Sequence, residues 1–177
     1  MKRRQFLKAS IASGVSLSVI GGGAIWLNSA INKDNLTIDL ALKQLEDLSN
    51  KEITHTGEWE PFQIFTHCAQ SIEYSMLGFP EHKSDFFKST VGQLAFSVFS
   101  SQGRMTHSLS EFIPGAPIIP QNTNIALALK RLITAFIAFK EYKGTLAPHF
   151  AYGPLSKNEY EIAHVIHLNN HLQEITR

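Results

Sequence analysis

The chain has 177 residues, of which 44% are hydrophobic, and this suits one globular domain with an apolar core. Residues 1–30 hold four of the 16 basic residues and none of the 15 acidic ones, so the rest carries a formal net charge of −3. That mildly acidic remainder excludes the basic patch on which nucleic-acid binding depends, and we expect no nucleic-acid partner.

The N-terminal segment has the layout of an export signal. A basic start leads into an apolar stretch, residues 9–27, and the run Arg3-Arg4-Gln5-Phe6-Leu7-Lys8 resembles the twin-arginine motif, with Lys2 where Ser or Thr is usual. We therefore expect residues 1–30 to be a twin-arginine signal peptide or an N-terminal anchor, with the twin-arginine export machinery as a partner. Residues 31–177 then form a periplasmic or cell-envelope domain whose only membrane contact is this segment.

Two alternatives stay open for this segment. Neither Ala24 nor Ala30 forms a clean cleavage site, so the signal could remain uncleaved and tether the domain. An ordinary anchor whose arginines occur by chance is the other alternative. Serines and glycines dilute the apolar stretch, which makes it weak as a stable membrane span.

Apolar residues recur every three to four positions along the rest of the chain and nowhere alternate convincingly, which predicts helices. The first helix carries five of them: Ile38, Ala41, Leu42, Leu45 and Leu48. The second begins at Pro61, a favoured first helical position, and ends near Leu77, before Gly78. The only cysteine, Cys68, lies on the apolar side of this helix, so we expect a buried, inert thiol. The third helix, closed by Gly103, carries four: Phe87, Val91, Leu94 and Val98.

A proline-rich loop, residues 113–120, separates the third helix from the fourth. The fourth helix is the most apolar, and we expect Asn122 or Thr123 to cap it. Its stripe contains six residues: Ile125, Leu129, Leu132, Ile133, Phe136 and Ile137. The last helix begins with a capping box formed by Ser156 and Glu159. Short connections between amphipathic helices predict antiparallel neighbours in a bundle, so the fold class is all-α.

The last helix carries three histidines, His164, His167 and His171, on a stripe about 60° wide that should face the core. Neutral imidazoles are costly to bury without partners. A pair separated by four residues is well spaced to bind one metal ion. A set of core histidines with ordinary protein partners would give the same stripe, and the pattern alone does not separate the two interpretations.

A third ligand should come from a facing helix, and His67 on the second helix is the candidate. A polar strip runs beside it and predicts a pocket lining: Gln63, Gln70, Ser71 and Tyr74. Glu174 lies near the histidine stripe and is a candidate fourth or supporting ligand. We expect His55 and His107 to be dispensable for metal binding.

Four separated segments resemble a DinB-like family of unknown function. They are WEPFQIFTHCAQSIEYS at residues 59–75, PGAP at 114–117, HFAYG at 149–153 and HLNNHL at 167–172. They occur in the family's order, and the resemblance covers roughly residues 37–175. Two departures are Asn170, where a histidine is common, and Phe150, where a proline commonly follows His149. Neither removes a ligand.

The resemblance implies an antiparallel four-helix bundle over residues 31–177, with the third predicted helix inserted between the second and third bundle helices. It also implies one divalent metal ion, zinc or nickel, held by His67, His167 and His171. The superfamily includes metal-dependent transferases that activate small thiols. A metal-dependent transferase or hydrolase acting on a small molecule is therefore the expected function. A non-enzymatic bundle that binds metal or a small ligand at the cell envelope is the alternative.

Supporting roles follow from the same resemblance and the helical pattern. Tyr74 and Glu174 are the candidates for acid–base or orienting groups. Four further residues are expected to line the pocket or support the ligands: His164, His149, Gln63 and Gln70. A homodimer is compatible with the sequence, which does not test it.

Overall fold

The computed structural model describes residues 35–176, so the predicted export signal lies outside the described residues. Its elements are α1 (Ile38–Ser49), β1 (Thr54–His55), α2 (Pro61–Leu77), α3 (Asp85–Phe87), a π turn (Lys88–Gly92), α4 (Gln93–Gln102), α5 (Ile125–Glu141), α6 (Lys157–His171), a 3₁₀ turn (Leu172–Glu174) and β2 (Ile175–Thr176). This mostly helical content agrees with the all-α prediction. No helix within residues 35–176 is long and apolar enough to cross a membrane.

Local capping fixes where α1 and α6 begin. The Thr37 hydroxyl accepts a hydrogen bond from the backbone N–H of Leu40 at 3.3 Å. At α6 the Ser156 hydroxyl accepts from the Glu159 N–H at 3.3 Å, and the Glu159 carboxylate accepts from the Ser156 N–H at 2.8 Å. This reciprocal pair is the predicted capping box, and it sets the rotational phase of the helix that carries three histidines.

The start of α5 differs from the prediction. Asn124 is the N-cap, because its Oδ1 accepts from the Leu127 N–H at 3.1 Å. Asn122 lies two residues before this cap, and its Oδ1 accepts a hydrogen bond from the Asn124 N–H at 2.8 Å. Both predicted caps, Asn122 and Thr123, are therefore wrong by one or two residues. Ile137, predicted on the apolar stripe, is 43% exposed.

The third predicted helix is divided by a π turn, and its predicted apolar stripe is wrong beyond Phe87. Three of the four predicted members are exposed: Val91, Leu94 and Val98. A π turn adds one residue to a helical turn, so every later side chain is rotated relative to an uninterrupted α-helix. Phe96 becomes the buried member instead. At the end of the π turn, Gly92 lies so close to the Ala151 carbonyl that a Cβ there would clash.

Four helices, α1, α2, α5 and α6, share one core. α2 packs most extensively on α5, α1 contacts α5 and α6, and α6 contacts α2, while α4 packs on α6. The largest fully buried side chains come from all four: Leu45, Ile64, Phe65, Leu132, Phe136, Phe139, Tyr160 and Ile166. Each such side chain contributes roughly 1.5–3 kcal/mol through burial. This core holds the inward faces of α2 and α6 against each other.

The sequence predicts no strand, but the structure contains a small sheet. β1 and β2 pair antiparallel, with Thr54 opposite Thr176 and His55 opposite Ile175. The pairing joins the chain just before α2 to the chain just after α6. It therefore ties together the flanks of the two helices that carry the candidate ligands.

Candidate metal centre

His67 lies on α2 and is 4% exposed. The indole of Trp59, which precedes α2, packs against the His67 ring with a centroid distance of 5.1 Å. The same indole is nearly parallel to the His171 ring, with centroids 6.1 Å apart and an interplanar angle of 4°. Trp59, itself buried, thus covers one side of a histidine pair contributed by two helices.

His167 and His171 lie one turn apart on α6 and meet His67. The Nε2 atom of His167 is 3.2 Å from Nε2 of His67 and 3.1 Å from Nε2 of His171. One ring nitrogen from each of the three lies within 4.8 Å of the other two. These three residues, called the histidine triad below, lie close enough to bind one metal ion. Within residues 35–176 no other three His, Cys, Asp or Glu side chains form such a group.

The spacing of the histidine triad fits a metal ion. Two nitrogens bound to one zinc ion at about 2.1 Å and at a tetrahedral angle are about 3.4 Å apart. The Nδ1 atoms of His67 and His171 are buried without a hydrogen-bond partner. A neutral imidazole has one N–H and one lone pair, so hydrogen bonds among three rings leave buried polar atoms unpaired. A cation at the centre would accept all three Nε2 lone pairs at once, and the Nδ1–H groups of His67 and His171 would stay without a protein partner.

Burial keeps these imidazoles neutral. Burial, followed by the charge of His107, lowers the pKa of His67 to about 3. Burial, followed by His67 and His107, lowers the pKa of His171 to about 2. Burial and the neighbouring histidines hold the pKa of His167 well below its ordinary value of 6.5. Since neutral imidazole is the form that binds metal, no proton needs to be displaced at neutral pH.

A cavity of about 780 Å³ reaches the histidine triad. His67 and His167 lie in its wall, together with His107, and most of the remaining wall is apolar or aromatic. Lys83 and Glu111 are its charged members. This volume and this mixture are typical of small-molecule sites. A second cavity, about 480 Å³, lies between α1 and α5 and has no histidine in its lining.

The triad and its cavity lie in the part of the chain that matches a known protein family. A profile described as "Protein of unknown function (DUF1569)" matches residues 31–177. The chain belongs to the DUF1569 family. No curated protein and no solved structure matches it.

Two other histidines of the DUF1569 domain, His149 and His164, line the same cavity. The Nε2 atom of His164 is 3.2 Å from the Ser75 hydroxyl, and its ring packs edge-on against Phe139. Nδ1 of His149 accepts hydrogen bonds from the backbone N–H groups of Ala151 and Tyr152 at 3.1 and 3.2 Å. Burial lowers the pKa of His164 to about 3 and that of His149 well below 6.5.

Of the predicted polar strip, Ser71 lines the cavity, whereas Gln63, Gln70 and Tyr74 lie elsewhere in the DUF1569 domain. Gln63 Nε2 donates to the Ile119 carbonyl at 3.1 Å, so it holds the proline-rich loop. Gln70 is buried on α2, and the Tyr74 ring packs near Phe79. Gln63, Gln70 and Tyr74 are not among the described residues that line the 780 Å³ cavity.

Glu174 is not part of the group of three histidines and does not line the cavity. Its carboxylate lies against Gly57, where a Cβ would clash with it. Its Oε2 atom is buried without a hydrogen-bond partner. The absence of a side chain at Gly57 therefore makes room for this carboxylate beside the small sheet.

The structure adds His107 to the surroundings of the triad. Its ring centroid is 5.1 Å from that of His167 and 5.3 Å from that of His171. From the sequence, His107 is expected only to be dispensable for metal binding, and this stays a prediction. His107 lies in the irregular segment between α4 and α5, where no helical periodicity operates. The sequence therefore offers no signal that could have placed it here.

Proposed function

We propose that this DUF1569 protein binds one divalent metal ion, zinc or nickel, through the histidine triad and acts as a metal-dependent transferase or hydrolase on a small molecule. The observation that carries the proposal is the convergence of the three Nε2 atoms of the histidine triad, two of whose rings, His67 and His167, line the 780 Å³ cavity. Imidazole nitrogen suits both metals. Three protein ligands leave a coordination position for substrate, and a bound metal supplies Lewis-acid polarisation there.

The DinB-like resemblance supports this proposal. It implies the same three ligands, and the shared core of α1, α2, α5 and α6 is compatible with a DinB-like bundle to which α4 is added. It also suggests small thiols as the substrate class. Because a fold hosts many chemistries, the substrate class rests on analogy.

The chain's own residues would bind and orient the substrate. The apolar and aromatic part of the wall would bind an uncharged body, while Lys83 offers a cation for an acidic group on the substrate. Trp59 covers His67 and His171 and would exclude water from that side of the triad. His149 and His164, each with protein partners, would keep the wall rigid.

A non-enzymatic metal- or ligand-binding protein is the second candidate. It is favoured by the positions of Tyr74 and Glu174, the two predicted acid–base groups, neither of which is among the described lining residues. If a small molecule binds tightly in the cavity and is not converted to a product, the non-enzymatic candidate is favoured over the enzyme.

Export by the twin-arginine route is part of the proposal. That route carries folded cargo, so the cell could load the triad with metal before export. Replacement of Arg3 and Arg4 by lysine should keep the protein in the cytoplasm of cells that have this route, as measured by fractionation. Unchanged export of that variant would refute this part of the proposal.

Cobalt(II) loading of the untagged full chain tests the proposed function. We expect one cobalt ion per chain, with the strong visible absorption of a four-coordinate site, and a change of that spectrum on addition of azide. Absence of stoichiometric cobalt would refute the metal site. A four-coordinate spectrum that azide does not change would indicate a closed structural site instead of the proposed open one.

A further inference from the structure

Among residues 35–176, His107 is the cavity-lining histidine whose ring packs against rings of the triad without belonging to it. Its ring lies about as far from the rings of His167 and His171 as the triad rings lie from one another, 5.1 and 5.3 Å against 4.8–5.0 Å. The residue nevertheless falls outside the group of nitrogens that lie within 4.8 Å of one another. His107 is therefore beside the metal position and not one of the ligands.

The protonation pattern of this ring is fixed by its backbone. Nδ1 of His107 is 2.6 Å from the carbonyl oxygen of Ser108. A carbonyl oxygen only accepts hydrogen bonds, so Nδ1 must carry the proton and donate it. Nε2 of the neutral ring then has a lone pair and is a hydrogen-bond acceptor. That atom is buried and has no protein partner.

We infer that His107 is a specificity-determining residue of the metal site: its Nε2 accepts a hydrogen bond from the external ligand that completes the coordination. This inference rests on the proposed function, because it needs a metal ion at the histidine triad. An acceptor at this place favours ligands whose coordinating atom carries a hydrogen. It disfavours ligands that present only lone pairs, since two lone pairs would face each other in a buried site.

The inference specifies the chemical class of ligand. Ligands with an N–H or O–H group on the coordinating atom should bind better than bare anions of similar size. The neighbouring histidines of the wall do not supply such an acceptor, and the Glu111 carboxylate is the other acceptor group near this ring. His67 and His167, the other histidines of the wall at this point, direct Nε2 to the metal position.

The test compares two ligands on the cobalt(II)-loaded full chain by visible absorption. Methanesulfonamide binds a metal through a nitrogen that keeps one hydrogen, whereas azide has none. The variants are His107→Leu, which removes the acceptor, and His107→Gln, which can restore one. His55→Ala, at an exposed histidine of β1, is the matched control.

We expect His107→Leu to keep one cobalt per chain and to weaken methanesulfonamide binding about tenfold, as loss of a hydrogen bond to an ionised ligand would. Azide binding should be unchanged or stronger, His107→Gln should recover part of the loss, and His55→Ala should behave as the original chain.

Equal changes for both ligands, or no change, would overturn the inference and leave the triad assignment intact. Loss of cobalt from His107→Leu would show that His107 is itself a ligand and would also overturn it. Absence of cobalt from the original chain would refute the proposed function first, so the two failures are distinguishable.

Discussion

Two sets of buried or half-buried histidines lie at or beside the same cavity, and their hydrogen bonding differs. His149 and His164 each have a ring nitrogen paired with a protein group, the backbone N–H groups of residues 151 and 152 in one case and the Ser75 hydroxyl in the other. In the histidine triad, the Nε2 atoms meet one another, and Nδ1 of His67 and His171 has no partner.

This difference separates histidines that support the fold from histidines arranged to bind. Three Nε2 atoms that meet one another cannot all be paired by hydrogen bonds, and a metal ion that accepts their lone pairs would remove that free-energy cost. The pairs formed by His149 and His164 contribute to folding by themselves. The triad should contribute only when a metal ion is bound.

The largest expected effect is on metal binding. Each of the three single substitutions, His67→Ala, His167→Ala and His171→Ala, should abolish stoichiometric metal binding, because the two remaining imidazoles do not hold the ion firmly. Metal analysis of untagged protein measures this. His55→Ala serves as the exposed control and should keep one metal per chain. Full metal retention in two of the three triad variants would remove the distinction between the two sets.

The next effect is on stability. His149→Leu should lower the free energy of unfolding by about 3 kcal/mol, because two backbone N–H groups lose their acceptor. Its metal content should not change. Denaturant unfolding of the metal-free and metal-loaded variant measures both. A loss well under 1 kcal/mol would show that the His149 hydrogen bonds do not support the fold as described.

The pH dependence of stability follows from the lowered pKa values. Where a histidine pKa lies below 6.5 in the folded state, the unfolded chain binds more protons below that pH. Stability is therefore complete above about pH 7 and falls as the pH decreases from 6.5 towards the folded value, about 3 for His164. His164→Leu should reduce this slope by up to about 1.4 kcal/mol per pH unit. An unchanged slope would contradict neutral burial of His164.

The smallest effect has the opposite sign. In metal-free protein, His67→Leu should be neutral or raise the free energy of unfolding by about 1 kcal/mol, since it replaces a buried imidazole that has an unpaired Nδ1. The matched substitution His149→Leu is destabilising under the same conditions. If His67→Leu destabilised the metal-free chain as strongly as His149→Leu does, the triad would be a structural cluster.

Helical periodicity explains which parts of the site the sequence could predict. Because α2 and α6 are regular helices, the spacing of their residues fixes the faces on which His67, His167 and His171 lie, and the DinB-like resemblance implies these three as the ligands. The all-α class and the bounds of α2 follow from the same periodicity and from Pro61 and Gly78.

The rest depended on features that periodicity does not contain. The π turn rotated the apolar stripe of the third predicted helix so that Phe96 is buried in place of Leu94. His107 reaches the triad from an irregular segment, and its position depends on tertiary packing. The two-residue strands are too short to show any alternation.

The most direct test of the central claim is a crystal structure of the metal-loaded full chain, with anomalous scattering measured at the absorption edge of the metal. We predict a single strong anomalous peak at the wall of the 780 Å³ cavity, about 2.1 Å from Nε2 of His67, His167 and His171. A loaded crystal with no peak at the triad, or with its metal bound by other residues, would contradict the account.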